Sequence, residues 1–204
     1  MSKHSRPARR LSLLVGIAAA FAVAVPALAQ PIAAPPVYGP PIPGVCLFAR
    51  DVALDRSLAG VSANQQIQQF TAGIRAELDA QRNSIVNDDR ALAAQKASMP
   101  ATEFQQRVAQ LQQRYAAVER TRRTREAQVA RTRAEAVRLI LQTMTPSLGE
   151  TITARKCSLV VEKAGTYGAN PVMDVTDQVI QKMNARLQSV TLRLAPPDPA
   201  DISN

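Results

Sequence analysis

The sequence predicts a mainly α protein with a small β-body, in which a long antiparallel coiled-coil helical hairpin projects from a short-stranded sheet shared on oligomerisation. Three observations predict it. Residues 63–145 contain a single Gly, Gly73, and a single Pro, Pro100. On both sides of Pro100 the apolar residues recur at spacings of four and three, the mark of a helix with one buried stripe. The β-like runs are few and short, and they stand on either side of this region.

From the N-terminus, residues 1–29 are expected to be a signal peptide. Lys3, Arg6, Arg9 and Arg10 form the basic start, Leu11 to Val25 the apolar stretch, and Ala27-Leu28-Ala29 the small-x-small pattern, with cleavage before Gln30. The apolar stretch falls short of the roughly 20 residues that cross a bilayer. The destination is then an oxidising compartment outside the cytoplasm, with the periplasm as the expected location. Residues 30–43 hold six of the chain's 14 prolines and read as an extended linker. Residues 44–62 and 146–188 are assigned to the β-body and association region, 63–145 to the hairpin with its tip near 98–101, and 189–204 to a flexible tail.

Within the body, Gly44 to Val52 is β-like, residues 157–162 form a second run, and a third stands near Thr166-Tyr167. A last helix opens with Asp174 or Thr176 as its cap and reaches about Leu187. Cys46 and Cys157 lie in the first two runs. They read either as small buried hydrophobes on neighbouring strands or as a disulfide, which would close a loop worth about 4 to 5 kcal/mol in the chain-entropy model.

In the hairpin, Phe104, Val108, Leu111, Tyr115, Val118, Arg122, Arg125, Val129, Thr132, Ala136, Leu139 and Thr143 mark one seam; Ile67, Thr71, Ile74, Leu78, Gln81, Ile85, Asp88 and Leu92 mark the other. Folding about Pro100 pairs positions whose numbers sum to about 199 or 200. Arms of 35 to 40 residues would reach roughly 50 to 60 Å, more than a small domain's diameter. Arg122, Arg125, Thr132, Gln81 and Asp88 stand where a rigid coiled coil would carry Leu or Ile, so the arms are expected to bend and splay.

Charge and composition exclude several functions. The only histidine, His4, lies in the signal, so no imidazole chemistry or His-ligated zinc is expected of the exported protein. No phosphate-cradling Gly motif occurs, and the acidic residues Asp51, Asp55 and Asp174 are scattered. No enzyme activity, catalytic residue, metal or cofactor is expected. Removing the four basic residues of the signal leaves 21 Lys and Arg against 16 Asp and Glu, a net charge of +5. That excess sits on residues 102–145, with nine Arg and four Glu. Such an arm fits acidic polypeptides or anionic lipid; nucleic acid also fits the charge, but it is scarce where the signal directs the chain, so it is not expected as a partner.

The motif order resembles the Skp (OmpH) family of periplasmic chaperones. The carrying residues are the Val45 to Phe48 strand, Leu159-Val160-Val161-Glu162-Lys163, and above all Tyr167 to Ile180, with Asn170-Pro171 and Asp174-Val175-Thr176-Asp177. The family usually has Asp where Asn170 stands, and Tyr167 is one place early. The resemblance spans residues 44–188. It implies an ATP-independent holdase that binds unfolded outer-membrane proteins in transit, as a homotrimer with three hairpins around a cavity. One protomer's few short strands agree with a sheet completed by association. Client contacts are then expected at Phe104, Leu111, Val118 and Val129 and at Arg122, Arg123, Arg125, Arg131 and Arg133; association is expected at Val45, Leu47, Leu159 and Val161. Anionic lipid or lipopolysaccharide is left open as a further partner. The competing reading is a structural coiled-coil spacer, or an anionic-lipid-binding module, of the cell envelope.

Overall fold

The computed structural model describes residues 38–199. The signal segment and the first part of the Pro-rich linker lie outside the described residues. The elements are β1 (Val45–Phe48), α1 (Arg50–Arg56), α2 (Leu58–Gln95), α3 (Ala101–Arg155), β2 (Leu159–Glu162) and α4 (Thr176–Arg186), with short 3-10 turns at Lys96–Ser98, Lys163–Gly165 and Pro171–Met173.

β1 and β2 pair in parallel, Val45 opposite Leu159 and Phe48 opposite Glu162. A parallel pair requires a crossover, and here the crossover is the whole hairpin. Gly44 starts the pairing in the left-handed region, φ +75, and its carbonyl accepts from the amides of both Ser158 and Leu159. The expected third strand near Thr166-Tyr167 does not form. Residues 163–165 make a 3-10 turn instead, and the third ladder contact is a single bridge from Leu47 to Asp174.

The run after β1 also departs from the expectation. The chain turns into α1 at once, and Ser57 then caps α2, its Oγ accepting from Gly60 N at 3.1 Å. Gly60 is required by space, because a Cβ there would stand 1.7 Å from the Leu54 carbonyl oxygen.

The hairpin turns at Pro100, with α3 beginning at the next residue. The arms run in opposite directions: Glu77 faces Arg125, Arg82 faces Glu119, Asp88 faces Arg114 and Gln95 faces Arg107. These numbers add to 201 or 202, two beyond the expected register, because the turn at Lys96–Ser98 moves the fold point towards Ala101. The composition change at Pro146 does not end the helix. α3 continues to Arg155, past the expected end of the hairpin at 145. A mid-helix Pro costs about 3 kcal/mol, but the residues beyond it are held from outside: Ser147 and Thr151 are fully buried, and Arg186 of α4 donates to Ser147 Oγ. Tertiary packing outweighs the local break. Lys156 ends the helix in the left-handed conformation that is more often given to Gly.

The base of the hairpin carries the main core. Ala59, Ala63 and Ile67 of α2, Ala136, Ile140 and Met144 of α3, and Val179, Ile180 and Met183 of α4 pack with Cys46 and Phe48 of β1. Helices, rather than strands, therefore give the single chain a core of its own, so its few short strands do not by themselves require association to bury one. Cys46 and Cys157 form a disulfide, with Cα atoms 5.7 Å apart, tying β1 to the end of α3. Of the two readings of these residues, the bonded one holds.

Residues expected to be a loose tail are packed as well. Val190 and Leu192 join the same core, and the chain then runs along the hairpin to Ala195.

Candidate functional site

No helix among the described residues is long and apolar enough to cross a membrane. The features open to a partner are the two arms and the exposed edge of the sheet.

The seam between the arms is narrower than a two-layer coiled coil. Leu78, Ile85 and Leu92 on α2 and Leu111 and Val118 on α3 are buried, each seven residues from the next. The alternate positions are not: Tyr115 and Asp88 are exposed, and Ile74, Gln81 and Val108 are half-buried. One stripe per arm holds the hairpin. Beside it lies an open, mainly apolar groove of about 450 Å³ between Ala80, Ser84 and Ile85 of one arm and Ala117, Val118 and Thr121 of the other.

This geometry redistributes the residues expected to meet a client. Leu111 and Val118 are used up in the seam, so in this conformation they hold the arms to each other. Phe104 is half-buried near the tip, with Lys96 Nζ 5.7 Å from its ring centroid, and Val129 is half-buried against the base core. Tyr115, which falls on the expected seam, is 41% exposed and is the large apolar surface of the outer arm.

The arginines also separate into two kinds. Arg122 lies between Glu119 and Glu126 on its own helix, and Arg125 crosses to Glu77. Hydrogen bonds from Arg122 first and Arg82 second hold the Glu119 carboxyl below its ordinary range. Arg131 donates to the Pro196 carbonyl oxygen. Among the described residues, Arg120, Arg123 and Arg133 have no ion-pair partner, and all three are exposed. The polar seam positions thus carry paired charge, and the net positive field comes from neighbours that the heptad count passed over.

At the other end, among the described residues, β2 pairs on one side only, with β1. Leu47 is buried, Val45 and Val161 are half-buried, and Leu159 is exposed. Tyr167 and Val172 add exposed apolar surface to the same body. Asp174 does structural work there. Burial opposes its charge, but the Lys163 ammonium at 2.5 Å and the Thr176 hydroxyl and amide outweigh that and hold its carboxyl below the ordinary range. Thr176 Oγ1 accepts in turn from Ala49 N, which joins the α4 entrance to the end of β1. Asn170 accepts from Val172 N, as an Asp would, and also donates to the Gly39 carbonyl oxygen, which an ionised Asp could not.

A long helical hairpin with a small parallel sheet, a disulfide-tied base and an open strand edge defines a class: an α protein whose arms extend from a compact body. Residues 45–183 match the family described as outer membrane protein (OmpH-like), and the chain belongs to that family. It is similar to the crystal structure of a protein from Caulobacter crescentus CB15 assigned as an OmpH-like outer membrane chaperone. Identity is 28%, the TM-score is 0.74, and the match covers 82% of this chain and 99% of the other. No curated protein matches the chain.

Proposed function

We propose that this protein is an ATP-independent holdase of the periplasm that keeps unfolded outer-membrane proteins from aggregating in transit. The observation that carries the reading is the hairpin itself. Two arms joined by a single buried stripe and flanked by an open apolar groove and unpaired arginines suit a client with no fixed shape. The likeness to an OmpH-like outer membrane chaperone supports it. Steering by charge raises the encounter rate without selecting one conformation, and exposed apolar surface such as Tyr115 retains the client once it has arrived. We assign the protein no catalytic role.

The proposal includes association into a homotrimer through the body. Its support is the unpaired edge of β2 beside exposed Leu159, because an open strand edge presents unpaired N–H and C=O groups to another chain.

The test is light scattering of an unfolded β-barrel outer-membrane protein diluted from denaturant, with and without the chain and with no nucleotide present. Suppressed scattering is expected; undiminished aggregation at a threefold molar excess of chain would overturn the reading. Replacing Arg120, Arg123 and Arg133 with Gln should slow capture of an acidic client several-fold in stopped-flow association and flatten its salt dependence. Replacing Arg122 and Arg125, whose charge is already balanced by Glu, should do less.

A further inference from the structure

The segment that follows α4 is held in an unusual way. Val190 and Leu192 enter the core at the base of the hairpin, while Thr191 and Arg193 between and after them are exposed, the alternation of an extended strand. Five polar side chains bind its backbone, among them Ser62, whose Oγ donates to the Val190 carbonyl oxygen at 3.3 Å, and Arg131, which donates to that of Pro196 at 2.9 Å. Gln66 of α2 donates from Nε2 to the Val190 carbonyl oxygen at 2.6 Å, and its Oε1 accepts from Leu192 N at 2.9 Å. On α3, Gln128 Nε2 donates to the Ala195 carbonyl oxygen at 2.7 Å, while Thr132 Oγ1 accepts from Ala195 N at 2.9 Å. One amide thus spans two residues of the strand, and an amide and a hydroxyl from the other arm bind both polar groups of a third.

The reading groups are themselves fixed. Thr132 is fully buried and donates to the Gln128 carbonyl oxygen, and Arg125 donates to Gln128 Oε1, which turns the amide nitrogen towards the segment. Contacts of this kind recognise an extended main chain and make few demands on sequence. They require apolar side chains two apart and a free N–H at the positions of Leu192 and Ala195, which Pro lacks.

We propose that this groove, between Gln66 on one arm and Gln128 and Thr132 on the other, is a docking site for extended polypeptide. Residues 188–199 are its resident occupant, and an unfolded segment with apolar residues at alternate positions displaces them. The nature of that displacing segment rests on the holdase reading; the groove and its occupant do not. Transmembrane β-strands alternate in this way, so the clients proposed above carry the required pattern in every strand. The tail then acts as an internal competitor that keeps an apolar site covered until a client arrives.

The test uses peptides, so it is independent of any aggregation assay. The probes are a labelled peptide of residues 188–199, a twelve-residue peptide of unrelated sequence alternating Val or Leu with Thr or Ser, and a copy of the second with Pro at the positions matching Leu192 and Ala195. A chain ending at Leu187 should bind the first two at least tenfold more tightly than the intact chain does, and the Pro peptide at least tenfold more weakly than its parent. Val190→Asp with Leu192→Asp in the full chain should behave like the truncation, and Gln66→Ala in the truncated chain should weaken both peptides. With no variant at all, saturating alternating peptide should abolish hydrogen-exchange protection at the Leu192 and Ala195 amides of the intact chain while leaving α4 protected. Binding of the chain's own sequence alone, a tail-dependent dimer in which a second copy's segment fills the groove, or unchanged protection at Leu192 and Ala195 would each overturn the proposal. A chain that passes this test but fails to suppress aggregation would leave the groove standing and remove the holdase reading.

Discussion

The base of the hairpin and its outer half are made from the same two helices, yet they are held together differently. At the base, α2 and α3 are enclosed by α4, β1 and the segment through Leu192, and the disulfide closes the assembly. In the outer half, among the described residues, each arm packs on the other alone. Five aliphatic residues at seven-residue intervals and a set of exposed ion pairs make the contact. A core that packs in three dimensions distributes a loss over many neighbours, whereas a single stripe opens where it is cut. The molecule should therefore yield first in the outer half, with the arms parting while the body stays intact.

The largest effect should come from the disulfide. Replacing Cys46 and Cys157 with Ala releases a constraint on 111 residues of sequence separation, for which the chain-entropy model gives about 4 to 5 kcal/mol. Urea unfolding should show a loss of that order. A change below about 1 kcal/mol would mean that the base is held by packing alone, and the comparison would lose one of its supports.

Truncation in each region sharpens the contrast. Met183 and Ile85 are almost equally buried, at 1% and 2% exposure, so their Ala variants lose similar contact area. Met183→Ala should cost about 2 to 5 kcal/mol and lower the global melting point. Ile85→Ala should act locally, with amide exchange accelerated around Leu78 to Val118 and little change in the protection of α4. Equal loss of protection in both regions would show that the hairpin and the body unfold as one unit.

What is legible in the sequence follows the same division. The hairpin, its turn at Pro100 and the positions of both main strands can be read because the signals are local: spacing, a lone Pro and short apolar runs. Several of the misreadings are places where distant chain decides, whereas the shifted register comes from the local turn at Lys96–Ser98. Pro146 stays helical because α4 packs on the turns beyond it. Thr132 reads as a weak point of the seam and Gln128 is passed over by the heptad count, but both are partnered by Ala195, more than sixty positions away. The tail reads as loose because of its prolines, although Val190, Leu192 and Leu194 alternate with polar residues and signal an extended, half-buried segment. For the site, the expected Leu111 and Val118 are seam residues, because heptad counting locates a stripe but not how much of it a single partner helix covers.

Asp174 gives a smaller effect, confined to the body. Its carboxyl titrates below the ordinary value in the folded state, against about 3.9 in the unfolded chain. A lowered folded pKa contributes stability that is present above the unfolded value and is lost as pH falls through the folded one. Melting temperature should therefore fall in acid more steeply for the parent than for Asp174→Asn, and the gap between them should close at the lowest pH. Exchange in the outer arm should not respond to this substitution. Parallel acid profiles would mean that the Lys163 and Thr176 contacts leave the charged form no better held than water does.

The smallest effect is expected from the ion pairs across the arms, and it bears most directly on how they open. Arg114–Asp88 at 2.5 Å and Arg125–Glu77 at 3.1 Å join the two helices, but all four side chains keep a third or more of their surface in water. Exposed pairs of this kind contribute about 0 to 1 kcal/mol, because immobilising long side chains offsets most of the attraction. Double-mutant cycles with Ala at each pair should give coupling energies inside that range, and the couplings should shrink further in 1 M salt, where the Debye length falls to about 3 Å. These pairs then set register rather than strength. They favour the alignment in which the stripe of Leu78, Ile85 and Leu92 meets Leu111 and Val118, and their loss should cost little if the arms part. A coupling of about 2 kcal/mol or more, above the range for exposed pairs, would reverse that conclusion, since the arms would be latched by charge and their opening would depend chiefly on salt.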